Sequence, residues 1–353
     1  MLRQANPKTQ AAALGLAIKP VNLALQGGGA HGAFAWGVLD RLIEDGRLRF
    51  EGISATSAGA MNAAVLAYGW TQGGADAARE ALAGFWRAVA EAGARYSPYK
   101  PLPWLGLTGD HSLDNSPGYL MMDMATRVFS PYQLNPLNFN PLREVLEQHV
   151  DFAALRRHSD IKLFLAATNV ETCKVRVFQC RDISADAVLA SACLPQLFQA
   201  VQIDGEHYWD GGYVGNPAIY PLIYDCDSRD VLIVHLNPVV RRGCPRTAAE
   251  IMNRLNEVSF NSSLMREMRA IAFVTSLVER GKLQADEAKQ MLIHSIRADE
   301  EMTQFGVSSK LNADWGFLQM LRDKGRAHAE RWLAKHFDAI GERSSVDIRS
   351  EFL

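Results

Sequence analysis

The alternation of apolar and polar positions first marks out two strand–turn–helix units. Val21 to Gln26 (V-N-L-A-L-Q) is a short apolar run of strand length, and it leads into Gly27-Gly28-Gly29-Ala30-His31-Gly32. Ala33 to Glu44 follows, with Leu39, Leu42 and Ile43 at helical spacing. Glu51 to Thr56 reads as a second short strand ending at Ser57, and helix-favouring A-G-A-M-N-A-A-V-L-A begins at once. Two such units in immediate succession predict a parallel sheet covered by helices. Ala75 to Val89 is a further helix. Ile161 to Thr168 and Val175 to Gln179 are strands that could form a hairpin, and Ala185 to Ala192 is a short helix. Tyr208 to Gly212 is a strand end and turn, and Asp230 to Leu236 is the last clear strand. Beyond Gly243 the spacing is almost wholly helical, over Ala248 to Arg280, Ala285 to Leu292 and Asp314 to Phe337.

The expected architecture is α/β: a three-layer α/β/α sandwich around a mostly parallel sheet, with a helical C-terminal section. Residues 1–20 read as a flexible leader, 21–240 as the α/β domain and 245–353 as the helical region. The texture changes over 94–141, which holds seven prolines among many aromatic and methionine residues. Proline at that density breaks regular elements, yet the segment is too apolar for a solvated linker. It is expected as a long loop with short helices, a lid-like insertion or binding wall, or else a segment packed on the sheet edge.

Composition narrows the partners. Hydrophobic residues make up 48% and charged residues 22% of 353, the balance of a soluble globular chain. With 37 Lys+Arg against 39 Asp+Glu the net charge is −2, which argues against nucleic acid as a partner. No apolar run approaches the ~18 residues needed to span a bilayer. The five cysteines are an odd, widely spaced set without a C-x-x-C pair, so a zinc ribbon or disulfide scaffold is not expected and reduced thiols are. Arg3 and Lys8 precede the apolar stretch Ala11 to Ile18, but no small-residue cleavage site follows, so the leader does not read as a signal peptide. The expected setting is cytoplasmic, peripheral to a membrane if lipid is the substrate. The basic residues Arg322, Lys324, Arg326, Arg331 and Lys335 read as a solvated helix face.

The glycine loop satisfies G-x-G-x-x-G between a strand and a helix. Two chemistries use that geometry: dinucleotide binding, which seats pyrophosphate on backbone N–H groups, and acyl transfer, which needs the same donors for an oxyanion. The first also requires an acidic residue at the end of the next strand to hold the ribose. That strand ends instead in Ala55-Thr56-Ser57, which decides against a cofactor. Ser57 lies in A-T-S-A-G, a G-x-S-x-G turn with Ala55 at the first glycine and Gly59 at the second. Alone, a serine in such a turn is more often a helix cap; below a glycine-rich loop on the preceding strand it reads as a nucleophile. A serine needs a base. Asp210-Gly211-Gly212 can aim an aspartate from a strand end, although D-G-G is also a common turn. A Ser57–Asp210–His235 triad is a further arrangement, with His235 otherwise a strand-end histidine.

These segments together resemble the patatin-like phospholipase family: G-G-G-A-H-G, then A-T-S-A-G, then A-S-A-C-L-P-Q-L-F through I-D-G to Y-W-D-G-G-Y-V-G-N-P. The similarity runs from about Val21 to Pro238, in order and spacing as well as motif. The resemblance implies a Ser–Asp dyad, with Ser57 as nucleophile and Asp210 as base. It implies an oxyanion hole from the N–H groups of Gly27, Gly28 and Gly29, and hydrolysis of lipid acyl esters without metal or cofactor. His31, Gly32, Gly59, Gly211 and Gly212 support the motifs. The family usually carries Lys or Arg where His31 stands, and histidine is largely neutral near pH 7. An acyltransferase or thioesterase using the same acyl-enzyme, or an inert lipid-binding relative, shares these features. Transient contact with a membrane surface accompanies a lipid substrate, and the sequence leaves the oligomeric state open.

Overall fold

The computed structural model describes residues 18–99, 111–284 and 288–353. Residues 1–17 of the expected leader and 100–110 of the apolar insertion lie outside the described residues. The strands are β1 (Lys19–Leu25), β2 (Leu48–Ala55), β3 (Lys162–Asn169), β4 (Val175–Gln179), β5 (Val201–Ile203), β6 (Glu206–Asp210), β7 (Asp230–Val234) and β8 (Leu292–Ile296). They form one sheet in the order β5-β6-β3-β2-β1-β7-β8, with β4 paired to β3. The five strands β3, β2, β1, β7 and β8 are parallel, and β4, β5 and β6 add an antiparallel margin.

Residue alternation divides the core into two layers, one on each face of the sheet. Val21, Leu23 and Leu25 of β1 and Leu232 and Val234 of β7 pack into one cluster; Ala24, Val231 and Ile233 pack into the other. Because side chains alternate across a strand, apolar residues at every position require cover on both faces. The helices α1 (Gly32–Asp45), α2 (Ala58–Tyr96), α3 (Ala185–Ser191) and α5 (Trp315–His336) cover the first face. The second is covered by α4 (Ala248–Glu279), with short helices at Tyr220–Asp225 and Ile348–Phe352. The three-layer expectation is met, and α4 and α5 of the C-terminal region form part of two of its layers.

Local chemistry fixes where these helices begin. Thr247 accepts from the Glu250 N–H at 3.2 Å while Glu250 accepts from the Thr247 N–H at 3.1 Å, a reciprocal cap that starts α4. Asp314 accepts from the Phe317 N–H at 3.0 Å at the start of α5. The α5 residues expected on a solvated face are in part used against α1: Arg326 is paired with Asp40 and Glu44, and Arg322 lies over the Trp36 ring. In α2 the backbone departs from helical angles at Gly73 and Gly74, joining the two helical runs of the sequence across a kink.

The sequence expectation fails at β8. A helix was expected over 285–292, of which 285–287 are outside the described residues, and β7 was expected to be the last strand. Leu292 to Ile296 instead pairs in parallel with β7, Leu292 opposite Asp230. So short an apolar run has no periodicity that separates strand from helix. The open edge of β7 decides it, with His294 Nε2 bonded to Asp230 Oδ1 at 2.9 Å.

The 94–141 insertion contains short helices at Pro117–Val128 and Pro131–Leu134, and a third begins at Pro141 and ends at His149. Each proline occupies the first turn, where its missing N–H costs nothing. Val145 and Leu146 of the last helix enter the core. On the Pro117–Val128 helix no residue is buried, and Leu120, Met121, Met124 and Val128 are at least half exposed.

Candidate active site

The site lies at the carboxyl ends of β1 and β2, where the chain crosses from β1 to β2 on one side and β7 takes the other, the position at which open α/β sheets hold ligands. Ser57 follows β2 directly, with φ 56° and ψ −124°. A β-carbon in that region is strained, of order 1–3 kcal/mol, and such residues persist only when their surroundings over-determine them. The surroundings here do so. The Ser57 N–H donates to Ser191 Oγ at 2.9 Å, and Thr56 Oγ1 donates to the Gly215 carbonyl at 2.6 Å. Ser57 caps α2 by position only: its side chain makes no capping hydrogen bond, which leaves the hydroxyl to face Asp210. The turn forms with Ala55 in place of glycine, its methyl fully buried.

Asp210 ends β6 opposite Ala167 of β3. Its N–H donates to the Cys193 carbonyl at 2.8 Å, and its own carbonyl accepts from Thr168 Oγ1 at 2.7 Å. The side chain is 1% exposed. Oδ1 accepts from the Gly212 N–H at 2.7 Å, while Oδ2 is buried without a hydrogen-bond partner. Burial raises the carboxyl pKa from 3.8 to about 6, against the opposing pull of the Gly212 N–H, the nearby Ser57 hydroxyl and Lys310. A buried carboxylate with one oxygen open next to a serine can accept that serine's proton, and such contacts tighten when substrate binds.

The glycine loop lies against the serine turn. A β-carbon at Gly27 would lie 2.6 Å from Ser57 Cβ, so only glycine allows the loop this close to the serine. Gly29 has φ +57°, and a β-carbon there would lie 2.3 Å from the Lys310 carbonyl oxygen. Of the three N–H groups expected in an oxyanion hole, that of Gly27 is already used, donating to Asn216 Oδ1 at 2.7 Å. The N–H groups of Gly28 and Gly29 have no partner among the described residues. Gly32 abuts Ala58, Gly59 abuts the Leu25 carbonyl, Gly211 the Ala166 carbonyl and Gly212 Phe260, so the remaining motif glycines serve close packing around the turn.

Two histidines are placed away from proton transfer. His31 is buried, bonded through Nε2 to Ser309 Oγ at 2.8 Å and packed on Phe305 and Phe317. Burial and the Lys310 charge lower its pKa to about 3, so the ring is neutral. His235 is buried against Phe352, makes no hydrogen bond to Asp210 and is likewise held near 3 by burial and Arg297. The triad arrangement is not formed. Residues that the sequence did not single out frame the loop instead: Asn216, Asn237, Asn261 and Lys310. Asn216 lies in the G-N-P run after Asp210.

A family model, the patatin-like phospholipase, matches residues 23–223. Among curated proteins none matches the chain. Two solved structures match along most of this chain. VipD from Legionella pneumophila is 16% identical with a TM-score of 0.45, over 90% of this chain and 67% of that one. The type III effector protein ExoU is 18% identical with a TM-score of 0.28, over 87% of this chain and 54% of that one. The family match covers more than half of the sequence and includes the glycine loop, the serine turn and the aspartate: the chain belongs to the patatin-like phospholipase family.

Proposed function

We propose that the protein is a serine acyl hydrolase that cleaves acyl esters of lipids through a Ser57–Asp210 dyad. One observation carries this reading. A buried carboxylate sits beside a serine on a strained turn, and the two neighbouring loop N–H groups, of Gly28 and Gly29, have no partner among the described residues.

In the proposed reaction Ser57 Oγ attacks the acyl carbonyl carbon while its proton passes to Asp210 Oδ2. The carbonyl π-electrons move to oxygen, and the N–H groups of Gly28 and Gly29 receive the resulting oxyanion. Collapse expels the alcohol, which takes the proton from Asp210, and leaves an acyl-Ser57 ester. Water then attacks that ester with Asp210 again accepting a proton, and a second collapse expels Ser57 Oγ, which takes the proton back from Asp210 as the fatty acid is released. An aspartate at its ordinary pKa is a poor base for a serine; burial brings it toward neutral pH, where base catalysis is more effective. The fixed donors supply the larger part, since each oxyanion contact is worth about 10²–10³ in rate.

The exposed apolar side of the Pro117–Val128 helix supports a lipid surface as the place where substrate is met. Leu120, Met124 and Val128 fall four residues apart, one stripe of the helix, with Met121 beside them. The neighbouring chain is tied toward the site, with Gln199 Nε2 donating to the Asn135 carbonyl at 2.9 Å and Tyr132 Oη accepting from the Ala200 N–H at 3.3 Å.

The test is reaction with a fluorophosphonate probe, read by intact mass, beside Ser57→Ala. A single adduct lost in the variant is the expected result. Labelling that survives the substitution places the nucleophile elsewhere, and no adduct on folded protein, with or without lipid vesicles, removes the hydrolase reading.

A further inference from the structure

We infer that Lys310 is a positioning residue for the oxyanion loop, acting through Asn237 on the Gly27–Gly28 peptide. The inference rests on the serine hydrolase reading and adds to it a cation from the C-terminal region.

Lys310 lies in a turn between β8 and α5, within Val307–Leu311. Its ammonium donates to Asn237 Oδ1 at 2.7 Å and to Asn256 Oδ1 at 2.6 Å, and stands 5.1 Å from the centre of the Phe260 ring. These are neutral acceptors and an aromatic face. Among the described residues no carboxylate lies within ion-pair distance of it. A partly buried ammonium without a directly paired carboxylate is costly, and only the more distant charges of Glu257 and Asp210 offset that cost among the described residues.

The next contact gives the charge a direction. A lysine can only donate, so Asn237 must turn its oxygen to Lys310 and its NH₂ away. That NH₂ donates to the Gly27 carbonyl at 2.8 Å. The Gly27 carbonyl and the Gly28 N–H belong to one planar amide. A hydrogen bond received by the carbonyl draws electron density from the nitrogen and makes the N–H a better donor, and such chains strengthen cooperatively in a low-dielectric interior. The series Lys310, Asn237, Gly27 carbonyl, Gly28 N–H therefore ends on the atom proposed to receive the oxyanion. The same lysine's carbonyl oxygen abuts Gly29, so that only a residue without a β-carbon fits at the second donor.

The groups facing Lys310 fit this role. Glu257 of α4 is already paired with Arg241 and Arg254, Asp210 lies at the end of β6, and His31 on the loop is neutral. Burial lowers the ammonium pKa to about 8, opposed by the charges of Glu257 and Asp210. The cation stays charged at neutral pH and is lost in mildly alkaline solution.

The experiment measures kcat and KM on a soluble short-chain ester for the full chain and for Lys310→Met, Asn237→Ala and the double variant. Each is first matched to wild type by circular dichroism and thermal melting. Lys310→Met is expected to lower kcat 10- to 100-fold with KM within about threefold, as loss of oxyanion stabilisation requires. The double variant is expected to be no slower than the worse single one, because both substitutions break one chain. A kcat near wild type in folded Lys310→Met, or losses that multiply in the double variant, overturns the inference. If Lys310→Met does not fold, Lys310→Arg decides: wild-type kcat should fall above about pH 8 and the arginine variant should remove that fall. A wild-type profile flat through that range, or a fall unchanged in the arginine variant, overturns it. Wild-type protein without Ser57-dependent turnover overturns the hydrolase reading itself, whereas Ser57-dependent turnover indifferent to Lys310 overturns this inference alone.

Discussion

Gly27 and Asn216 are joined by a hydrogen bond of 2.7 Å from backbone N–H to side-chain oxygen. The first of the three motif glycines is thereby spent on holding the loop, which leaves the Gly28 and Gly29 N–H groups as the proposed donors. Asn216 also donates to the Phe260 carbonyl at 3.0 Å, so one buried side chain ties the loop to α4. Asn216→Ala should leave the buried Gly27 N–H unpaired and destabilise the fold by roughly 2 kcal/mol, with kcat reduced as the loop loosens. Urea unfolding with matched m-values checks the first effect; unchanged stability would mean that water replaces the amide.

The backbone angles of Ser57 separate two substitutions that both remove the hydroxyl. Alanine keeps a β-carbon at φ 56°, and glycine does not. Both should abolish ester hydrolysis, and Ser57→Gly should be the more stable by about 1 kcal/mol despite glycine's larger unfolded-state entropy. Thermal melting of the pair reads this directly, and an alanine variant of equal or greater stability would show that the turn is not strained.

Asp210 couples activity to stability. Its folded pKa, about 6, is raised above its ordinary value of 3.8, so the folded chain holds this proton more tightly than the unfolded chain. The stabilisation from that proton is complete below the unfolded value and is lost as pH rises through the folded one. Above it a buried charge is retained at a cost of about 3 kcal/mol by linkage. Asp210→Asn should therefore be inactive yet melt higher than wild type at pH 8, with the difference closing toward pH 4. A lower melting temperature at pH 8 would count against the buried, underpaired carboxylate.

In the proposed mechanism the same ionisation sets the acid side of the rate profile. As a base Asp210 must be deprotonated, so kcat/KM on a soluble ester should rise with pH through about 6. A rate constant down to pH 4 would exclude Asp210 as the base.

On the Pro117–Val128 helix, Met121 and Met124 are 68% and 61% exposed. Replacing both with aspartate removes apolar area that could enter a lipid interface and adds charge repelled by anionic headgroups. Flotation with phosphatidylglycerol-containing vesicles should show at least a tenfold loss of binding. Equal flotation of wild type and variant would assign vesicle contact to another surface.

Much of the sheet is legible because the central strands are apolar on both faces, and β1 and β2 each run through a glycine or serine turn into a helix. β4 was placed at its observed bounds, and β1, β2, β3 and β7 within a few residues. β8 was not, because L-I-H-S-I acquires strand identity only from the edge of β7. The serine turn, the glycine loop and the D-G-G turn were legible for another reason. Each needs a backbone close approach or an unusual dihedral, and that demand restricts which residue types can stand there.

The state of the site was not legible in the same way. Sequence alone marked Ser57, Asp210 and the glycines. The tertiary structure decided that the Gly27 N–H is occupied, that His31 and His235 are neutral core rings, and that a lysine stands behind the loop. These outcomes depend on contacts such as Asn237 to Gly27, 210 residues apart, and Ser309 to His31, 278 apart. A local backbone requirement leaves its mark on neighbouring residues. A hydrogen bond between distant side chains leaves none, because asparagine, serine and lysine satisfy so many other environments, and only the packing of α4 and the β8–α5 connection against β1 brings these partners together.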